Sequence, residues 1–230
     1  NFLSRYCGAS VGNVKEELRR ADLHCWAETH HEEEDDFRFL MEDEAKVEHV
    51  ARPRFVKGGG LIVRVAPWLT GMVKITKVGT WRITVEIIKN NRTEATVDFY
   101  YIVPAGQSER NTFIEEERSA AIADLEERIL ATGLTRSHWI IGDLNAWVGN
   151  LTQRINVQED ITSHDVVKRI LTNKRKNNRG RWLQNLLLMK DYVVVNGTKG
   201  SSAPTHFGKG EPSCIDLAIA NWNAFGRTRD

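Results

Sequence analysis

Cysteine is scarce in this chain of 230 residues. The three cysteines, Cys7, Cys25 and Cys214, are scattered, and no pair has the Cys-x-x-Cys spacing of a zinc or redox motif. Their distribution argues against structural zinc and favours a reducing, intracellular compartment.

Long apolar runs are missing too. No segment approaches the roughly 20 apolar residues of a membrane helix, so we expect no membrane association.

An excess of charge of one sign is also missing. The net charge is +1, which gives no overall signal for nucleic acid. The charges are nevertheless uneven, because residues 32–44 are strongly acidic and residues 168–181 (KRILTNKRKNNRGR) are strongly basic. The basic run is either a solvated surface or a stretch that contacts the phosphates of a polyanion, and both interpretations stay open.

A short apolar run leads into the most informative stretch of the chain, WIIGDLNAWVG at residues 139–149. The run predicts a buried strand that ends near Gly142. Asp143 and Asn145 then follow at the carboxyl end of that strand, where open α/β sheets usually build their sites. A carboxylate and an amide two residues apart can both reach one phosphate, although an ordinary Asx turn would use the same residues.

Two further acids occupy comparable positions. Residues 23–27 predict a strand that leads directly to Glu28, which is either a solvated rim residue or a ligand. Residues 214–220 predict a buried strand interrupted by Asp216, and a carboxylate there is costly unless it is bonded. Oxygen ligands without cysteine or histidine clusters favour a hard cation, Mg²⁺ or Mn²⁺. Phosphodiester hydrolysis needs such a metal, a group that activates water, and hydrogen-bond donors for the phosphate.

Strand and helix patterns interleave along the chain. Alternating apolar residues predict strands at 81–87 and 97–103, joined through Asn90-Asn91 as an antiparallel pair. Helices are predicted from Asn13, from Thr112 to near Gly133, around residues 166–171 and around 182–187, and Gly58–Gly60 is interpreted as a turn. Mixed connections favour the α/β (α+β) class, with stacked mixed sheets flanked by helices rather than a simple doubly wound sheet.

Several stretches resemble one known family, in the same order along the chain. ADLHCWAET, GDLNAWVG and SCIDLAIA resemble motifs of the endonuclease/exonuclease/phosphatase superfamily, and Asn1 lies 27 residues before Glu28, a spacing similar to the family's first-strand Asn and metal-binding Glu. NNRGRWLQNLL, VVVNGT and PTHF make the apurinic-endonuclease-like domains of non-LTR retrotransposons the most similar branch. The resemblance implies one domain over residues 1–230, truncated at both ends, folded as a four-layer sandwich of two mixed sheets between helices.

The resemblance also implies a role for each matching residue. Glu28 would hold the metal, supported by Asn1. Asp143 would activate or orient the attacking water, Asn145 would bind the scissile phosphate, and Asp216 would orient a catalytic histidine. The implied activity is a Mg²⁺- or Mn²⁺-dependent nicking of target DNA that leaves a 3′-hydroxyl primer.

The sequence departs from the family pattern in two places. The family places a tyrosine two residues before the proline, where this chain has Ile102, so that the adjacent Tyr101 would serve only after a local bulge. The closing Ser-Asp-His motif is absent, and the chain stops fourteen residues after Asp216. His164 and His206 lie in other sequence contexts. We therefore expect residues 1–230 alone to cleave DNA poorly.

The alternatives are an abasic-site repair endonuclease or phosphatase of the same fold, and a non-catalytic relic that lacks the terminal histidine. The retrotransposon interpretation implies DNA as partner, a reverse transcriptase domain in the same polypeptide, and a nuclear location. Target specificity would depend on variable loops, and the sequence alone does not predict it.

Overall fold

The computed structural model describes residues 21–31, 40–41, 44–52, 58–104, 112–131, 136–156, 164–169, 175–198 and 216–227. The strands in these segments are β1 (Leu23–Ala27), β2 (Lys46–Val50), β3 (Leu61–Val65), β4 (Val73–Val78), β5 (Arg82–Lys89), β6 (Arg92–Tyr101), β7 (Ser137–Asp143), β8 (Leu151–Asn156), β9 (His164–Arg169), β10 (Tyr192–Val194) and β11 (Asp216–Asn221). The helices are α1 (Thr112–Ala131), α2 (Asn178–Met189) and α3 (Trp222–Gly226), with a short 3-10 helix at Pro67–Met72.

Two sheets carry the fold. The large sheet has six strands in the order β10-β11-β7-β6-β5-β4, and the small sheet has three in the order β1-β3-β2. β6 and β7 run parallel, because helix α1 connects them as a crossover, whereas the other pairings in the large sheet are antiparallel. The α+β class with stacked sheets and helices is confirmed. The large sheet is mixed as expected, and the small sheet is antiparallel among its described strands.

Apolar side chains fill the spaces on both faces of the large sheet. One core lies between the two sheets and contains Val63 of β3 and Phe99 of β6. The other lies between the large sheet and helices α1 and α2, where Leu125 and Leu183 pack against Ile140. These contacts account for three layers of the expected sandwich. The helix predicted from Asn13, which would supply the fourth, lies outside the described residues.

The predicted hairpin through Asn90-Asn91 is confirmed. β5 and β6 pair antiparallel, and both asparagines have positive φ, 51° and 58°. Two consecutive left-handed residues form the tight turn that matches the twist of a hairpin.

The helix predicted around residues 166–171 is wrong over its first part. Residues His164–Arg169 form β9, which pairs antiparallel with β8. Val166 and Val167 are adjacent β-branched residues, and their restricted χ1 favours an extended backbone once a partner strand is available.

The structure also tests the membrane expectation in part: within the described segments, no helix is long and apolar enough to cross a bilayer.

Candidate active site

Three of the candidate residues lie side by side where neighbouring strands of the large sheet begin or end, along the edge formed by these strand ends. Tyr101 is the last residue of β6, Asp143 the last of β7, and Asp216 the first of β11. The strand register pairs Tyr101 with Asp143 and Asp143 with Asp216. Glu28 arrives from the small sheet directly after β1, and its Oε1 accepts a hydrogen bond of 3.3 Å from the Tyr101 hydroxyl. The fold therefore brings together four residues that are far apart in the sequence.

The turn that carries Glu28 is fixed by the glycine run before β3. Glu28 has a φ of 52°, and the amide of His30 donates to the Gly59 carbonyl at 2.8 Å. A Cβ on Gly58 would lie 2.8 Å from the Tyr101 hydroxyl and 3.1 Å from Glu28 Oε1, so a larger residue there would displace the ends of these side chains. Gly58 thus borders the site directly, which its interpretation as a simple turn missed.

Tyr101 reaches Glu28 without the local bulge that the sequence comparison required. The β6–β7 register is continuous through Tyr101, and the register shift recorded in β6's pairing with β5 lies at Ile87/Ile88. Successive side chains of a strand point to opposite faces. Tyr101 faces the core between the sheets, whereas Ile102 packs in the core beneath the helices. Position 101 therefore faces Glu28, and position 102 does not.

Asp143 is buried among other acids. Its side chain is 3% exposed, and its Oδ1 accepts a hydrogen bond of 2.9 Å from the Asn145 amide. Burial, followed by the charges of Asp216 and Glu28, raises the pKa of Asp143 to about 8, against the opposing effects of the Asn145 amide and Arg179. A carboxyl group with this pKa exchanges a proton near neutral pH.

Asn145 adopts the left-handed conformation that asparagine tolerates, with a φ of 47°. Its Nδ2 donates to the Ile102 carbonyl at 3.0 Å, and its own carbonyl accepts from Asn177 Nδ2 at 3.0 Å. Asn177 is the N-cap of α2, where its Oδ1 accepts from the Gly180 amide. The start of α2 is therefore bonded directly to the segment that bears Asn145.

Arg179 is the residue at this site that sequence reasoning missed. Its Nη1 donates to the Leu144 carbonyl and its Nη2 to the Val103 carbonyl, both at 2.9 Å. Burial, with the charge of Arg118, lowers the pKa of Arg179 to about 10. The Asn-x-Arg-Gly spacing at the start of a predicted helix was the available signal, but nothing in it showed which backbone the guanidinium would reach.

The basic run thus divides into two parts. Arg175, Lys176 and Arg181 are exposed, which leaves both sequence interpretations open for them. Arg179 is turned towards backbone carbonyls. Lys174 lies outside the described residues.

The side chains at this site offer oxygen donors, which are the ligands that a hard cation prefers. Glu28, Asp143 and Asp216 offer carboxylate oxygens, and the charges of Asp216 and Glu28 add to burial in raising the pKa of Asp143. Within the segments that the structure describes, however, no three acidic, histidine or cysteine side chains are grouped closely enough to hold a metal ion by themselves. Asn1, Cys214 and His206 lie outside those segments.

Comparisons with known proteins bear on the fold. No protein-family model matches the sequence, and no similar sequence was found among curated proteins. Many solved structures resemble this one, and three of them illustrate the likeness. The endonuclease domain of TRAS1, a telomere-specific non-LTR retrotransposon, has a TM-score of 0.54 and 15% identity over 94% of this chain and 80% of that one. An AP endonuclease from Archaeoglobus fulgidus has a TM-score of 0.62 and 12% identity over 99% and 86%.

The third is the catalytic domain of Xenopus laevis APE2, with a TM-score of 0.55 and 13% identity over 95% of this chain and 79% of that one. These identities are low, while the coverage extends over nearly the whole of this chain. The chain therefore has the fold that AP endonucleases share with the TRAS1 retrotransposon endonuclease domain.

Proposed function

We propose that this chain is a metal-dependent phosphodiester hydrolase, and specifically a DNA endonuclease of the retrotransposon type that leaves a 3′-hydroxyl primer. The observation that carries the proposal is the meeting of Glu28, Tyr101, Asp143 and Asp216 at one strand edge. The fold supports it, because the TRAS1 domain and AP endonucleases fold in the same way.

In this proposal Asp143 accepts a proton from the attacking water. A general base works best when its pKa is near the working pH, and the pKa of Asp143 is raised to about 8. The Asn145 amide holds the carboxylate at 2.9 Å, so that its orientation is set before the substrate binds.

Asn145 binds the scissile phosphate. An amide nitrogen carries two hydrogens, and the bond to the Ile102 carbonyl uses one of them. The second can donate to a phosphate oxygen, on which negative charge develops during hydrolysis.

Glu28 is the proposed metal ligand, oriented by Tyr101 and supported by Asn1. Bound Mg²⁺ or Mn²⁺ would neutralise charge on the phosphate as a Lewis acid. Asp216 is proposed to orient a catalytic histidine. Its place opposite Asp143 gives it a second effect here, since its charge raises the pKa of Asp143.

The proposal includes DNA as substrate, a reverse transcriptase domain in the same polypeptide and a nuclear location. A second candidate is repair at abasic sites, which the likeness to AP endonucleases favours. A duplex with one abasic site and an intact supercoiled plasmid distinguish the two. The retrotransposon type nicks the plasmid, whereas a repair enzyme cuts only at the abasic site.

The experiment for the proposed function measures nicking of supercoiled plasmid in Mg²⁺ and in EDTA. Glu28→Gln should lower nicking and also weaken Mg²⁺ binding measured by calorimetry, because it removes a charged ligand. Glu94→Gln removes an exposed carboxylate from β6 and serves as the matched control. Unimpaired nicking in EDTA, or Mg²⁺ binding that is equal in both variants, would contradict the metal-dependent mechanism.

A further inference from the structure

The first turn of α2 contacts the two loops that follow β6 and β7 and border the candidate active site. The Asn177 amide donates to the Trp147 carbonyl at 3.2 Å, and the Trp147 amide donates to Asn177 Oδ1 at 3.1 Å. A Cβ on Gly180 would lie 2.0 Å from the Trp147 carbonyl oxygen, so only glycine lets the helix start lie this close. The helix therefore bears directly on the loop that follows β7.

Arg179 extends this contact to a second loop. The Leu144 carbonyl belongs to the residue between Asp143 and Asn145, and the Val103 carbonyl follows Tyr101 by two residues. One guanidinium thus joins the segment after β7 to the segment after β6. The planar fork of guanidinium donors suits two acceptors at once, which a single lysine ammonium does less well.

Two other bonds cross the same gap. Asn145 Nδ2 donates to the Ile102 carbonyl at 3.0 Å, and the Ile102 amide donates to the Asp143 carbonyl at 2.9 Å. Arg179 adds bonds to the Leu144 and Val103 carbonyls in the same two segments, so that without it fewer polar contacts would hold the loop after β7 against the end of β6. The Asn145 side chain is the proposed phosphate donor, so a movement of this loop would also displace the second N–H of its amide.

We propose that Arg179 is a positioning residue, which locks the loop bearing Asp143 and Asn145 against the end of β6. This rests on the proposed function for its catalytic consequence, but the positioning itself is a property of the fold. The side chain stabilises the geometry of the reacting groups, and its positive charge also favours the ionised form of Asp143.

The test compares Arg179→Ala and Arg179→Lys with Arg181→Ala. Arg181 is an exposed arginine on the same helix, and its Nη1 donates to Asn178 Oδ1 at 2.9 Å, one turn away. The first measurement is hydrogen exchange of the Asn145 amide, which bonds to Asp143 Oδ1 and reports the loop without any need for cleavage. We expect Arg179→Ala to speed this exchange about tenfold or more, and added guanidinium to reverse the change, whereas Arg181→Ala leaves it as in the parent chain.

The second measurement is plasmid nicking, divided into DNA affinity and single-turnover rate. Misplacement of reacting groups by about 1 Å can lower a rate on the order of 10²-fold, so Arg179→Ala should lose turnover and keep most of its affinity. The turnover of Arg179→Lys should be lower than the turnover that added guanidinium restores to Arg179→Ala.

The two measurements separate the two claims. Unchanged exchange at Asn145 in Arg179→Ala would overturn the positioning role, whatever the nicking result. Faster exchange, reversed by guanidinium, supports it whether or not the parent chain nicks DNA.

Discussion

Two buried aspartates lie on neighbouring strands of the large sheet in opposite surroundings. Asp98 on β6 is fully buried, and its oxygens accept hydrogen bonds from His138 Nε2 and Arg128 Nε at 2.8 Å and from the Thr84 hydroxyl at 2.6 Å. Burial alone would raise the pKa of Asp98, but the bonds and charges of His138 and Arg128 outweigh it and hold that pKa well below its usual range.

Asp143 on β7 is almost as buried, but its charged neighbours are mostly of its own sign. Asp216 lies opposite it in the strand register, and Glu28 adds further negative charge. The backbone amide of Asn145 and the charge of Arg179 offset only part of this, and the pKa of Asp143 is raised to about 8.

The comparison shows two uses of a buried carboxylate. At Asp98 the fold supplies enough donors and cations for the charge to stabilise the folded state. At Asp143 the folded state disfavours the charge, which is costly for stability and suits the proton transfer that we propose for this residue. Variants that break one surrounding and leave the other intact can separate these uses.

The largest effect is expected from Asp98→Asn. The Asp98 carboxylate pairs with Arg128 and accepts a hydrogen bond from His138. Breaking such a buried pair typically lowers the free energy of unfolding by about 3–5 kcal/mol. Urea unfolding at neutral pH measures the free energy of unfolding. Glu94→Gln on the same strand is exposed and should change it by less than about 0.5 kcal/mol.

The pH dependence checks the same prediction. The folded-state pKa of Asp98 is lowered, so its stabilisation is present above the unfolded pKa of about 4 and is lost as the pH falls further. The stability difference between the parent chain and Asp98→Asn should therefore shrink in acid. A difference that is constant down to strongly acidic pH would refute the ionic explanation.

Asp143→Asn should have opposite effects on activity and stability. Loss of a positioned proton acceptor should lower turnover by about 10²–10⁴-fold with DNA affinity largely kept. The same change removes a disfavoured buried charge, so the free energy of unfolding near pH 8 should rise by about 1 kcal/mol.

The sign of this second effect follows from proton binding. Between about pH 4 and pH 8 the folded chain holds a proton on Asp143 that the unfolded chain has released, so parent stability falls as the pH rises. Asparagine does not titrate, and the advantage of the variant should grow through this window and level off above it. A variant less stable than the parent at pH 8 would show that Asp143 is bonded much as Asp98 is.

A smaller effect is expected from Asn145→Gly. Glycine accepts the positive φ of this position without strain but removes the amide donor, so turnover should fall by about 10²–10³-fold with little change in thermal stability. Asn185→Ala, at an exposed position on α2, is the control. Full turnover in Asn145→Gly would remove this residue from phosphate binding.

The smallest effect concerns the exposed part of the basic run. The double variant Arg175→Ala/Lys176→Ala should weaken DNA binding without altering the rate for bound DNA. The slope of log affinity against log salt should flatten by about 0.9 for each lost phosphate contact. An unchanged slope would identify these side chains as solvated surface only.

Local sequence patterns determined the elements that carry the site. The apolar run before Asp143, the strand before Glu28 and the hairpin at Asn90-Asn91 are all found as predicted, because side-chain alternation and turn chemistry act over a few residues. The valine pair at 166–167 shows the limit of this reasoning. A short polar segment has weak periodicity, and its strand depends on a partner strand across the hairpin.

The sequence by itself determined that Glu28 and Asp143 follow apolar strands, whereas it predicted a strand that ran past Tyr101 to residue 103 and placed Asp216 inside a strand rather than at its start. Only the tertiary structure decided that Tyr101 rather than Ile102 meets Glu28, that Gly58 lies against both of these side chains' polar ends at the site, and that Arg179 points inward to two carbonyls. Each of these depends on the stacking of one sheet on another or on the docking of α2, and contacts between segments far apart in the chain leave no local pattern. The raised pKa of Asp143 also depends on the tertiary structure, since it results first from burial, then from the charge of Asp216, which the pairing of β11 with β7 places opposite Asp143, and from the charge of Glu28, which comes from the small sheet.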